Sequence, residues 1–191
     1  MKKIKELVKQ KLNSKKGFTL AEVLLAVLIL LMVSAIVVAG IPAAKDAYEK
    51  VVLTSNAEVT LSTTVNTLRN ELGTAKNIET SGNEISYINL TRGSASRIYL
   101  NDGTNNGGRH EIMLERYSRN AYLENKGSDI VQSVSLSSTP AAKDMNLYVT
   151  YESVSYNSGI VTFHNISVDS DTGKVGLATL DDLLIRVLSE G

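Results

Sequence analysis

From Phe18 to Ile41 the chain runs for 24 residues with Glu22 as its only charged side chain. As a helix that length covers roughly 36 Å, against a hydrocarbon core about 30 Å thick. Fifteen of the 24 are Leu, Ile, Val or Phe. Together they favour insertion by at most roughly 7 kcal/mol, whereas one acidic residue at the bilayer centre costs about 3 kcal/mol and less near an end. Insertion outweighs the charge, so the run is expected to span a membrane. An ionisable residue inside a spanning segment asks for a partner. The alternative is that Glu22 lies shallow enough to reach the headgroups.

The flanks orient the span. Residues 1–17 hold seven Lys and one Glu, and the remaining chain holds 13 basic and 19 acidic residues. A basic stretch before an apolar run marks the cytoplasmic side, which places the following body outside the cytoplasmic membrane. The acidic body argues against a nucleic-acid-binding face. With no cysteine in the chain, thiolate catalysis and Cys-based metal sites are excluded, and the body must be held by core packing and its neighbours. An ordinary secretory signal would be cut after its apolar region, here near Ala39-Gly40. However, 24 apolar residues exceed the usual 7 to 15 or so. The better small-residue junction is Gly17, before the run.

Lys16-Gly17-Phe18-Thr19-Leu20-Ala21-Glu22, followed by Val23-Leu24-Leu25-Ala26-Val27-Leu28, resembles the prepilin signal of type IV pilins and pseudopilins. The resemblance implies cleavage between Gly17 and Phe18 by a prepilin peptidase, methylation of the new Phe18 amino terminus, and assembly into a filament by helix–helix packing with other subunits. A cytoplasmic ATPase and a membrane platform would act indirectly. It gives Glu22 a reason: in a staggered bundle its carboxylate meets the Phe18 amine of the next chain. Two charges about 4 Å apart attract by about 4 kcal/mol at an effective dielectric of 20. Desolvation removes part of that, so the pair reads as a register key more than as glue.

Gly40-Ile41-Pro42 interrupts the run, and Pro42 is expected to act as a hinge, with a kink or short unwinding near Ile41. Beyond it Val51, Val52, Ala57, Val59, Leu61, Val65, Leu68 and Leu72 follow helical spacing, and Gly73 is a suitable stop. The Thr-rich middle has poor helix propensity, so packing must hold it. After Gly73 come strand candidates at Glu84–Leu90, Arg97–Asn101, Glu111–Tyr117, Ile130–Leu136, Leu147–Val154 and Ile160–Val168. Turn signals such as Ser81-Gly82-Asn83 and Asn157-Ser158-Gly159 separate them, which implies a mostly antiparallel sheet. Thr179-Leu180-Asp181-Asp182 offers an N-cap with an acid three residues on, and Leu180, Leu183, Leu184, Val187 and Leu188 fall on one helical face. A short C-terminal helix is expected, with an extended segment as the alternative.

The expected class is α+β: a long bent N-terminal helix, transmembrane then amphipathic, on a mostly antiparallel head with the ladle-like architecture of pilins. Its parts are a basic leader over 1–17, a transmembrane helix over 18–41, an amphipathic continuation over 42–73 and a β-rich head over 74–191. No nucleophile elbow, phosphate loop or paired-histidine motif is present. His164 reads as a half-buried structural residue on the face of Ile160, Ile166 and Val168. Asp169-Ser170-Asp171-Thr172-Gly173 faintly resembles a calcium loop but lacks a third ligand and a distal Glu, and reads as a hairpin turn. Asn89-Leu90-Thr91 and Asn165-Ile166-Ser167 fit the common glycosylation pattern. No catalytic residue, cofactor or metal is expected. The functional expectation is a minor pilin or pseudopilin, held in the cytoplasmic membrane and then moved to a surface or periplasmic filament serving secretion, adhesion or motility. The alternatives are a major pilin and a single-pass anchored binding module that does not polymerise.

Overall fold

The computed structural model describes residues 19–101, 103–104, 109–118 and 130–188. The chain divides into two compact units, Met1–Glu49 and Lys50–Gly191, and one helix, α1 (Leu20–Leu72), contributes to both.

In the first unit α1 buries nothing: every described residue up to Lys50 is exposed. Helix α1 continues through Gly40, Ile41 and Pro42 without interruption, so the unwinding expected near Ile41 does not occur. Proline deletes one donor, whereas unwinding would release further backbone groups in an apolar segment, each at a cost of several kcal/mol in hydrocarbon.

In the second unit α1 acquires an inward stripe. Ala57, Thr60, Thr64, Val65, Leu68, Glu71 and Leu72 are buried at the three-and-four spacing of one helical face. Val51 and Val59 lie outside the stripe and are exposed. The threonines are accommodated by hydrogen bonds: Thr60 donates to the Asn56 carbonyl at 2.8 Å, and Thr64 donates across to the Leu136 carbonyl at 3.3 Å. Helix α1 stops where a Cβ on Gly73 would meet the Arg69 carbonyl oxygen at 2.8 Å, a gap only glycine leaves open.

A five-stranded antiparallel sheet follows in sequential order: β1 (Ala75–Ser81), β2 (Glu84–Asn89), β3 (Ser94–Leu100), β4 (Ile112–Tyr117) and β5 (Ile130–Ser135). A short helix, α2 (Pro140–Asp144), starts on Thr139, whose hydroxyl accepts from the Ala142 amide at 3.1 Å. The second sheet is built on β8 (Ile160–Ser170). One of its ends pairs with β6 (Leu147–Thr150), the other with β7 (Ser153–Asn157), and β9 (Ala178–Arg186) runs antiparallel to it as well. One hydrophobic core joins α1, through Leu68 and Leu72, to Ile85, Ile98 and Ile112 of the first sheet and Phe163, Val168 and Leu183 of the second. The chain is therefore α+β, a long helix with an antiparallel head.

The C-terminal helix is a strand. Leu183, Ile185 and Val187 are buried while Leu184 and Arg186 are exposed, a period of two that suits pairing with β8. The Leu-rich run satisfies both periods, and strand pairing decides between them. His164 also differs from expectation. Asn165 adopts a left-handed φ of 50°, which breaks the alternation of β8. Ile166 and Val168 consequently point into the core, while His164, with 39% of its side chain exposed, lies on the opposite face. The hairpin turn expected at Asp169–Gly173 is present, and Asp171 pairs with Arg109. Asn89 is buried and hydrogen-bonded to Glu71, so its glycosylation pattern is inaccessible in the folded head.

On the face of the first sheet away from the core, Glu115 accepts hydrogen bonds from Tyr99 at 2.8 Å, Arg97 at 2.9 Å and Tyr117 at 3.0 Å. Burial alone would raise this carboxyl, but the three donors outweigh it and hold it below the usual carboxylate range. Burial and the same carboxylate push the Tyr99 phenol up to about 12. Because the folded-state value of Glu115 is depressed, its stabilisation is complete above about pH 4.3 and is lost as pH falls through the folded value. Glu115→Gln is therefore expected to lose about 1–3 kcal/mol at pH 7, with the deficit shrinking towards pH 3. Urea unfolding at the two pH values checks this, and a constant deficit would refute it.

Candidate assembly site

The cleavage pair expected at Gly17 and Phe18 lies outside the described residues. Glu22 lies within them, in the first turn of α1. Its Oε2 accepts from the Thr19 amide at 2.8 Å and the Thr19 hydroxyl at 2.9 Å, while the Thr19 hydroxyl accepts from the Glu22 amide at 3.3 Å. This reciprocal arrangement is a capping box. It satisfies donors that a helix start leaves unpaired, and such caps contribute on the order of 1 kcal/mol. The signal was present in the sequence as Thr-x-x-Glu immediately before an apolar run. The apolar context drew attention to the charge of Glu22 and away from its spacing to Thr19.

Two consequences follow from residue chemistry. Glu22 has a local partner, so its carboxylate is oriented before any other chain approaches. Conversely, any incoming cation must compete with Thr19. Beyond Glu22, the helix surface to Ile41 presents apolar side chains open to an outside partner, from Val27 at 48% exposed to Val38 at 72%. Among the described residues α1 is the one helix long and apolar enough to cross a membrane, and none of its apolar window is covered by the protein. Past the apolar run the surface turns polar, with an exposed Lys45–Glu49 pair at 3.6 Å, a spacing worth only about 0.3–0.5 kcal/mol.

The other end of α1 carries a buried charge that the sequence reading did not single out. Glu71 Oε1 accepts from Arg116 at 2.5 Å and Arg92 at 2.8 Å, and its Oε2 accepts from Asn89 at 3.0 Å and Tyr87 at 3.4 Å. Burial and the Glu71 charge push the Tyr87 phenol well above its ordinary value. Glu71 thereby ties the last turn of α1 to β2, β4 and the β2–β3 connection. A glutamate at a core position of the helical stripe was the available clue.

Residues 12–38 match the family model described as the prokaryotic N-terminal methylation motif. No curated protein and no solved structure matches the chain. The matched segment contains Gly17, Phe18, Thr19 and Glu22, and the chain carries a type IV pilin-like prepilin signal.

Proposed function

We propose that this protein is a structural subunit of a type IV pilus-like filament, a minor pilin or pseudopilin, made as a membrane-anchored precursor. A prepilin peptidase cuts between Gly17 and Phe18 and methylates the Phe18 amine. The helix from Phe18 to Ile41 holds the precursor in the cytoplasmic membrane with the head outside, and Pro42 serves as the hinge during extraction. Glu22 then exchanges its bond with Thr19 for the amine of a neighbouring subunit, setting the stagger between helices. The observation that carries this reading is the coincidence of the methylation motif with an apolar helix surface that the protein itself leaves wholly uncovered. The subunit contributes no chemistry of its own to assembly; an ATPase and a membrane platform drive it.

The capping box supports a second reading. Because Glu22 already has a local structural role with Thr19, it would also suit a single-pass anchored binding module that never polymerises. The N-terminal peptide mass of protein recovered from cells and from sheared surface material separates the two. The filament reading expects a peptide that starts at Phe18 with one added methyl group in both fractions. A chain beginning at Met1, confined to membranes, would overturn it in favour of the anchor. A start near Ile41 would overturn both in favour of a secreted protein.

A further inference from the structure

The outward face of the second sheet holds a line of three polar side chains on three adjacent strands. Ser155 on β7 places its Oγ 3.4 Å from Nε2 of His164 on β8, and His164 Nδ1 lies 2.6 Å from Asp182 Oδ1 on β9. Strand register produces this line directly: His164 pairs with Asp182 on one side, and Ser155 lies diagonal to His164 on the other, opposite Thr162. The left-handed turn at Asn165 brings His164 out of the core to meet them. With Asp182 accepting from Nδ1–H, the imidazole is held in the tautomer whose Nε2 lone pair faces the serine hydroxyl.

We propose that Ser155 is an activated nucleophile for acyl esters, with His164 as its general base and Asp182 as the residue that positions the imidazole. Ser155 Oγ attacks the ester carbonyl carbon, forming the Oγ–C bond, and its proton passes to His164 Nε2. The tetrahedral adduct collapses, the bond to the alkoxy group breaks, and the alcohol departs with the proton from His164. Water then attacks the acyl-serine carbonyl carbon while its proton passes to His164 Nε2; the second tetrahedral adduct collapses, the Oγ–C bond breaks, Ser155 Oγ takes the proton back from His164, and the carboxylic acid is released. In this scheme the developing oxyanion takes its hydrogen bond from Thr162, which pairs with Ser155 across β7 and β8, Cβ atoms at such a position being about 5 Å apart. The site opens to solvent: His164 is 39% and Asp182 54% exposed in their side chains. It therefore takes small or extended esters in preference to ones that must be enclosed, and general-base assistance of about 10²-fold is the scale to expect. This activity is independent of filament assembly.

The test treats the full chain in detergent micelles with a fluorophosphonate probe, locates the adduct by peptide mass, and follows p-nitrophenyl acetate turnover in parallel. One adduct on Ser155 is expected, formed about 10²-fold more slowly in His164→Gln and partly restored by added imidazole in His164→Gly. Asp182→Asn should lower kcat with little change in KM, and Asp182→Glu should recover part of it. A purely structural role for Asp182 would move the melting temperature and leave the labelling rate alone. Label scattered over several hydroxyls, or a Ser155 rate unchanged by His164→Gln, would overturn the proposal.

Discussion

Glu22→Gln is expected to preserve the start of α1 and abolish most filament incorporation, whereas Glu22→Ala should lose both. The discrimination rests on what each side chain can still do. Glutamine serves in a capping box, because its carbonyl oxygen accepts from the N-cap amide much as a carboxylate does. It cannot form an ion pair. If Glu22 acts only through Thr19, to which it is bonded at 2.8 and 2.9 Å, the Gln variant should enter filaments normally. If it is the charge key of the proposed assembly, the Gln variant should fail despite an intact helix start. A residual 1.4 kcal/mol per contact, well below the roughly 4 kcal/mol of bare attraction, is already about tenfold in each addition equilibrium. Repeated at every added subunit, that reduction should leave almost no variant protein in sheared fibres.

Quantitative mass spectrometry of sheared fibres and membranes, with the variant expressed beside the other subunits, gives the comparison. Membrane levels should match between Glu22→Gln and the parent, because removing one acidic group from an apolar span eases insertion. Equal fibre content for parent and Gln variant would confine Glu22 to its cap. Low fibre content for Ala and normal content for Gln would have the same meaning. The register hypothesis survives only if both substitutions deplete the fibre.

The sequence made the helix legible because two strong signals coincide there: an uninterrupted apolar run, and a later stripe at helical spacing ended by Gly73. Most strands were legible for a similar reason, since turn residues punctuate them. What escaped had competing local signals. Strand β1, Ala75–Ser81, is polar and largely exposed, so no alternation announces it, and Lys76 and Glu79 are the kind of charges that edge strands carry. Strand β9 reads as a helix face when Leu180, Leu183, Leu184 and Leu188 are counted without a partner strand, yet β8 selects the alternate set. The break in alternation at Asn165, made without any shift in the β8–β9 register, reversed the face of His164, and no composition rule announces such a break. At the candidate site, the charge of Glu22 was legible and its spacing from Thr19 was overlooked, although both are local. Glu71 belongs to the opposite case. Its partners on β2, β4 and the intervening connection are distant in sequence, and only the fold assembles them.

Those partners make Glu71→Ala a strongly destabilising substitution in the head. The substitution strips one carboxylate from two guanidinium groups, an amide and a phenol at once. The partners do not suffer equally. Arg92 has 46% of its side chain exposed and can turn to water, whereas Arg116 has 21% exposed and, among the described residues, keeps its bond to Gln132 at 2.6 Å. Asn89 and Tyr87 are buried and lose an acceptor outright. Breaking a buried pair from one side costs about 3–5 kcal/mol. The partial exposure of Arg116 argues for the lower end, about 3 kcal/mol, or roughly 10 °C in melting temperature for a domain of this size. Arg92→Ala, which removes the most exposed partner, should cost about 1 kcal/mol or less. Arg116→Ala should fall between them, because Arg92 remains to neutralise Glu71. Replacing both Glu71 and Arg116 with Met should recover part of the loss, since no charge is then left buried alone; Asn89 and Tyr87 still lack their acceptor, so recovery stays incomplete. Chemical denaturation of the full chain in micelles, monitored at the head tyrosines, measures the series. An Arg92→Ala variant as unstable as Glu71→Ala would mean that the exposed arginine, and not burial of the carboxylate, governs how the end of α1 is fastened to the sheet.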